Sequence, residues 1–163
     1  MNFMGAEEVA RVKTIFSDNE TPVTYLEHQE AITSADAAAH RGFELKQGVK
    51  AILLTNESDW MLVNVPADKR VDMKTVAELL KWSKNKIRMA TEDEVMQKTG
   101  CQIGAVPPFG HKETIRILVD KGVLENEIST FNIGLRTISV KLKTLDLEEV
   151  FENIGVTFGK FTK

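Results

Sequence analysis

Two apolar runs, VKAILLT (49–55) and WMLVNV (60–65), lie either side of the polar tetrapeptide NESD (56–59). Each run is too short for a stable helix and is bounded by turn signals, so the pair reads as a hairpin. Its first strand is apolar almost throughout, which places it at the centre of a sheet rather than at an edge. Everything else in the chain has to be arranged around that hairpin.

The flanking segments supply both more strands and helices to cover them. Val9, Val12, Ile15 and Phe16 fall at helical spacing, and VTYLEH (23–28) alternates as a strand. Thr33 and Ser34 offer N-caps for an alanine-rich helix, SADAAAHR, that stops at Gly42. Asp72 caps a helix through Val76, Leu79 and Leu80, IRMA (87–90) reads as a short strand, and Thr91 caps the acidic-first helix TEDEVMQKTG. IRILVD (115–120), STFNIG (129–134) and RTISVKL (136–142) read as strands, and Asp146 caps a closing helix through Leu147, Val150, Phe151 and Ile154. Short connections and many hairpins predict an α+β fold: a mixed, mostly antiparallel, curled and barrel-like sheet with helices packed outside. No linker is evident, so residues 1–163 are expected to form one domain.

Several kinds of chemistry find no support. One cysteine, Cys101, excludes an internal disulfide and a multi-cysteine metal site, and fits a reducing, cytoplasmic setting. His28, His40 and His111 are far apart without ligand-spaced neighbours, so no metal is expected. There is no phosphate-cradling Gly-rich loop, no dinucleotide fingerprint and no Gly-x-Ser-x-Gly elbow. No cofactor is expected, and no apolar run reaches the roughly 20 residues that span a bilayer. Cys101 is either a small buried thiol or a nucleophile.

Two features remain. Lys50, at the mouth of an apolar strand, either snorkels to the surface or points into a cavity with a purpose. GAVPPFGHK (104–112) holds two of the four prolines between two glycines, so neither a helix nor a strand ladder can run through it. Gly104 permits a close backbone approach, and its amide with those of Ala105 and Val106 could donate to a carbonyl or an oxyanion. Pro107 and Pro108 would stiffen that arrangement in advance of binding. The alternative is a plain structural turn.

The order TSADAAAHRG, GVKAILLT, a hairpin and helix, TEDEVMQKTG and then CQIGAVPPFGHK resembles the YbaK/prolyl-tRNA-synthetase-associated domain family over about residues 23–155. That resemblance implies hydrolysis of the ester of a mischarged aminoacyl-tRNA, most often tRNA for proline carrying alanine or cysteine, by a substrate-assisted route. It implies that Lys50 and Gly104 carry the chemistry, Lys50 at the terminal nucleotide and Gly104 at the aminoacyl carbonyl. Ala105, Val106, Pro107, Pro108, Phe109, Gly110, His111, Asn132, Gly134 and Ser139 would form the substrate pocket. His111 either contacts substrate or caps the turn. Asn132 stands where part of the family has a serine, and Ser139 replaces an acidic residue. Those departures leave a second reading, a non-catalytic module that binds tRNA or a synthetase.

The charge pattern fits an RNA partner better than the net charge of −3 suggests. Residues 41–143 hold seventeen basic and thirteen acidic side chains, with Lys81, Lys84, Lys86 and Arg88 gathered around Trp82. These are either a phosphate-binding face or a solvated helix end. The expected partners are the acceptor end of a mischarged tRNA and, for delivery, a synthetase or elongation factor, with neither DNA nor a membrane involved.

Overall fold

A computed structural model describes residues 4–30 and 43–163. The expected helix SADAAAHR, its caps Thr33 and Ser34, and His40 lie outside the described residues.

The hairpin forms as its pattern dictates. β2 (Val49–Thr55) pairs antiparallel with β3 (Trp60–Pro66), Val49 opposite Pro66 and Thr55 opposite Trp60. The NESD turn is closed by the Asn56 side chain, which accepts from the Ser58 and Asp59 amides. β4 (Arg88–Met89) extends the sheet on the β2 side. On the other side β5 (Arg116–Asp120) and β8 (Thr157–Gly159) add in parallel, giving the order β4-β2-β3-β5-β8. A second, antiparallel sheet has the order β1-β7-β6, from β1 (Thr24–Glu27), β6 (Ile128–Asn132) and β7 (Ile138–Lys143). Among the described residues the sheets are hydrogen-bonded through one bridge, Gly48 to Thr130, and do not close into a barrel.

Helices cover them. α1 (Ala6–Asp18) and α4 (Thr144–Ile154) close the central core, where Val12, Phe16, Leu62, Phe131, Leu147 and Phe151 are buried together. α2 (Met73–Leu80) covers the other face of the larger sheet, over Leu54, Val63, Val65 and Leu118. α3 (Glu92–Thr99) opens on a capping box, Thr91 with Glu94, and ends at Gly100 in the left-handed region. The closing helix begins at Thr144, two residues before the expected cap, so Asp146 stands in its first turn. β8 was not expected: TFG is too short to carry a period. Among the described residues no helix is long and apolar enough to cross a membrane.

Candidate functional site

The segment between α3 and β5 is a loop whose carbonyls are held one by one. Arg136 Nε donates to Ile103 O at 2.9 Å, and the Asn132 amide donates to Gly104 O. His111 Nε2 meets Pro107 O at 2.7 Å, Asn64 Nδ2 donates to Pro108 O at 3.2 Å, and Arg11 Nε donates to Gly110 O at 3.1 Å. Five carbonyls are thus turned towards five side chains drawn from α1, β3, β6, the β6–β7 turn and the loop itself. The consequence falls on the amides. Those of Gly104 and Val106 make no hydrogen bond among the described residues, and Gly104 is exposed at φ 86°. Two free N–H groups on a backbone fixed by prolines suit a carbonyl oxygen that gains negative charge. The expected third donor is not available: the Ala105 amide donates to Gln102 O at 3.0 Å, and Ala105 is buried.

Other expected pocket residues turn inward. Phe109 is 1% exposed and stacks edge-on against Phe16, Phe131 and Phe151, so its ring anchors the loop in the core instead of lining a pocket. Gly110 packs on α1, where an added Cβ would lie 3.0 Å from Val12. Gly134 packs on the start of α1, where an added Cβ would lie 2.7 Å from Gly5 O. The prolines are buried. Ser139, fully buried, donates to Asn132 Oδ1 at 2.7 Å and lies 2.6 Å from His28 Nε2. A chain of polar contacts therefore runs from the end of β1 through β7 and β6 to the Gly104 carbonyl.

Electrostatics define the protonation states. Burial pushes the His111 imidazole down to about 4, with nearby Arg11 in the same direction and the Pro107 carbonyl opposing. The ring is neutral near pH 7 and donates its Nε2–H to that carbonyl. Burial also pushes the Cys101 thiol up to about 12, with the Glu8 carboxylate adding to it. Its Sγ sits 3.7 Å from Thr99 O inside the protein, so a thiolate mechanism has no support.

Lys50 is half-buried on β2. Its neighbours Val49 and Ala51 face the central core, so Lys50 points to the opposite side of the sheet. On β6 it is Phe131 that faces the central core, which sends Asn132 to the outer side as well. The Gly48–Thr130 bridge joins these two strands just before both residues. Burial above all, then Arg70, lowers the Lys50 ammonium from its ordinary range, while Asp68 raises it. No hydrogen bond or ion pair engages it among the described residues. It is a cation held in reserve. The cluster at 81–88 is different. Arg88 is gripped by Glu57 and Glu94, and Lys84 lies 3.1 Å from Glu78. Two of its four cations are thus matched within the protein.

Asn64, Arg11 and Arg136 are the site residues that sequence reasoning missed. Asn64 alone left a trace, as the one amide inside an apolar strand.

Residues 28–150 match the model of the aminoacyl-tRNA editing domain. The chain belongs to that family. It is 32% identical over 138 residues to the multifunctional Ser/Thr-tRNA deacylase ProXp-y of Escherichia coli K12, covering 80% of this chain and 81% of that one. A proline–tRNA ligase of Trichlorobacter lovleyi is 30% identical over 103 residues, 63% of this chain and 17% of the ligase. A solved structure described as a candidate trans-editing enzyme for prolyl-tRNA synthetase superposes with a TM-score of 0.79 at 23% identity, over 97% of this chain and 98% of that one. That likeness establishes the α+β fold. α1 precedes the stretch matched by the family, yet it grips the loop on which the site depends.

Proposed function

We propose that this editing-domain protein hydrolyses the ester linking a small, wrongly attached amino acid to the 3′ end of a tRNA. The observation that carries the reading is the pair of amides, Gly104 and Val106, without a hydrogen bond among the described residues, on a loop of which five carbonyls are fixed by side chains. In the proposed reaction these amides receive the aminoacyl carbonyl oxygen as it gains charge. A water, oriented by the neighbouring ribose hydroxyl, attacks the aminoacyl carbonyl carbon; the bond to the tRNA 3′-terminal oxygen breaks, that oxygen takes up a proton from the water, and the free amino acid leaves. No side-chain nucleophile is needed. Lys50, an ammonium on the outer face with no ion pair among the described residues, holds the phosphate or ribose of the terminal nucleotide. A substrate-assisted mechanism asks the protein for position and charge stabilisation only, which is what this loop offers.

Two sets of amino acids compete for the pocket. Family resemblance favours alanine or cysteine on tRNA for proline, and the similarity to ProXp-y brings in serine and threonine. All four are small. The test is deacylation of tRNAs charged separately with alanine, cysteine, serine, threonine and, as the correct ester, proline on its own tRNA. Hydrolysis of at least one small ester with prolyl-tRNA spared is the expected result. Lys50→Ala should lower kcat/KM by about tenfold to a hundredfold. Uniform failure on all mischarged esters would remove the reading.

A further inference from the structure

Two of the four cations in the basic segment singled out in the sequence, Lys84 and Arg88, are paired with carboxylates of the protein, which leaves open where the phosphates of a tRNA would lie. A second surface answers this. A groove of about 630 Å³ crosses one edge of the larger sheet, where β3, β5 and β8 end and β2 begins. Lys46, Lys69, Lys121, Lys160 and Lys163 line it, all exposed. Four separate segments supply them, before β2 and after β3, β5 and β8, so the cluster is a product of the fold and is invisible as a run in the sequence.

Five ammonium groups face two exposed carboxylates, Asp68 and Glu125. The third acidic residue, Asp120, is buried and spent on the Gly122 and Phe161 amides. Lys46 lies 3.4 Å from Glu44; the other four make no ion pair among the described residues. The lining contains no aromatic side chain. A protein partner would need aromatic or apolar anchors in desolvated pockets, and this groove has none to offer. A polyphosphate strand needs spaced point charges, which lysine supplies. Lys50 stands opposite Val65, the residue before Pro66 on the groove wall, so the groove begins beside Lys50.

We propose that this lysine groove is the docking track for the phosphate backbone of the tRNA acceptor arm, leading its 3′ end to Lys50 and the Gly104 loop. The inference rests on the deacylase reading for its choice of RNA, but its test does not depend on turnover. Binding of an unacylated tRNA transcript is measured by fluorescence anisotropy across a salt series, for wild type and for Lys69→Ala/Lys121→Ala/Lys160→Ala. Each lost phosphate contact should flatten the plot of log affinity against log salt by about one unit, so the triple variant should be shallower by about two to three. Its KM for a mischarged tRNA should rise about tenfold or more with kcat kept. Hydrolysis of a short aminoacyl-adenosine ester, which cannot reach the groove, should be unchanged. Lys74→Ala/Lys84→Ala/Lys86→Ala removes the same charge elsewhere and should leave the slope alone. An unchanged slope in the groove variant, or an equal loss in the control, overturns the proposal. A groove-dependent slope without hydrolysis of any ester would sustain the track and sink the deacylase reading.

Discussion

Single residues at this site act chiefly by fixing other groups, and His111 shows how that can be measured. Its imidazole is held neutral by burial, with a value of about 4 in the folded chain against an ordinary 6.5. Between those values the unfolded chain binds the proton and the folded one does not. Stability contributed by the neutral ring is therefore complete above about pH 6.5 and lost as the pH falls towards 4. The full loss is on the order of 3 kcal/mol. Urea denaturation at steps from pH 7.5 to 4, compared with His111→Gln, should show the wild type losing stability more steeply through that window. Parallel curves would mean that the ring is not held as the geometry indicates. Cys101 gives the complementary case. A buried thiol raised to about 12 has no thiolate to offer, so Cys101→Ala should retain ester hydrolysis within about twofold. Loss of turnover with the fold intact would return the thiol to the mechanism.

At the scale of elements, α1 is the unexpected participant. Glu8 lies buried against Gly100 and pairs with Arg11, Arg11 holds the Gly110 carbonyl, and Gly5 meets Gly134 backbone to backbone. One helix thereby fastens both sides of the Gly104 loop. Gly134 has φ 134°, and a methyl group there would meet Gly5 O at 2.7 Å and Val9 N at 3.0 Å. Backbone atoms cannot swing aside as a flexible side chain can. Gly134→Ala should cost about 2–3 kcal/mol and lower turnover in step with the displacement of α1, read by thermal unfolding and by hydrogen exchange of the loop amides. An alanine variant with wild-type stability and exchange would show that this contact is looser than drawn. Most of the described elements were legible because they carried their own local signal; β8, three residues long, carried none. Alternation marked β1, apolar runs marked β2 and β3, and Asp72 and Thr91 marked the helix starts where their side chains do cap. Lys50 and the proline loop were legible as anomalies against those patterns. What the side chains of the loop face was not: Phe109 reads alike whether it lines a pocket or fills a core. The captured carbonyls were hidden too, because Arg11, Asn64 and Arg136 are distant in sequence and only the fold assembles them.

Across the molecule, the aromatic core and the candidate site are one mechanical unit. Phe109 sits among Phe16 from α1, Phe131 from β6 and Phe151 from α4, with ring centroids 5.6, 6.3 and 5.8 Å away. Two of those elements, α1 and β6, carry a group that acts on the loop. Arg11 is on α1 and Asn132 is next to Phe131 on β6. A change in the core therefore moves donors that are never themselves touched. Phe109→Ala removes a ring that is almost fully buried and should destabilise the protein by about 3–5 kcal/mol. Phe151→Ala removes a ring of the same size, also fully buried, from the same cluster, but α4 holds none of the loop's carbonyls. The two variants should lose comparable stability. Assayed well below their melting temperatures, Phe109→Ala should lose about tenfold more turnover than Phe151→Ala, because only the first leaves the Gly104 and Val106 amides unanchored. Equal turnover at equal stability would show that the carbonyl contacts alone hold the cradle, and that its ring anchor serves the core only.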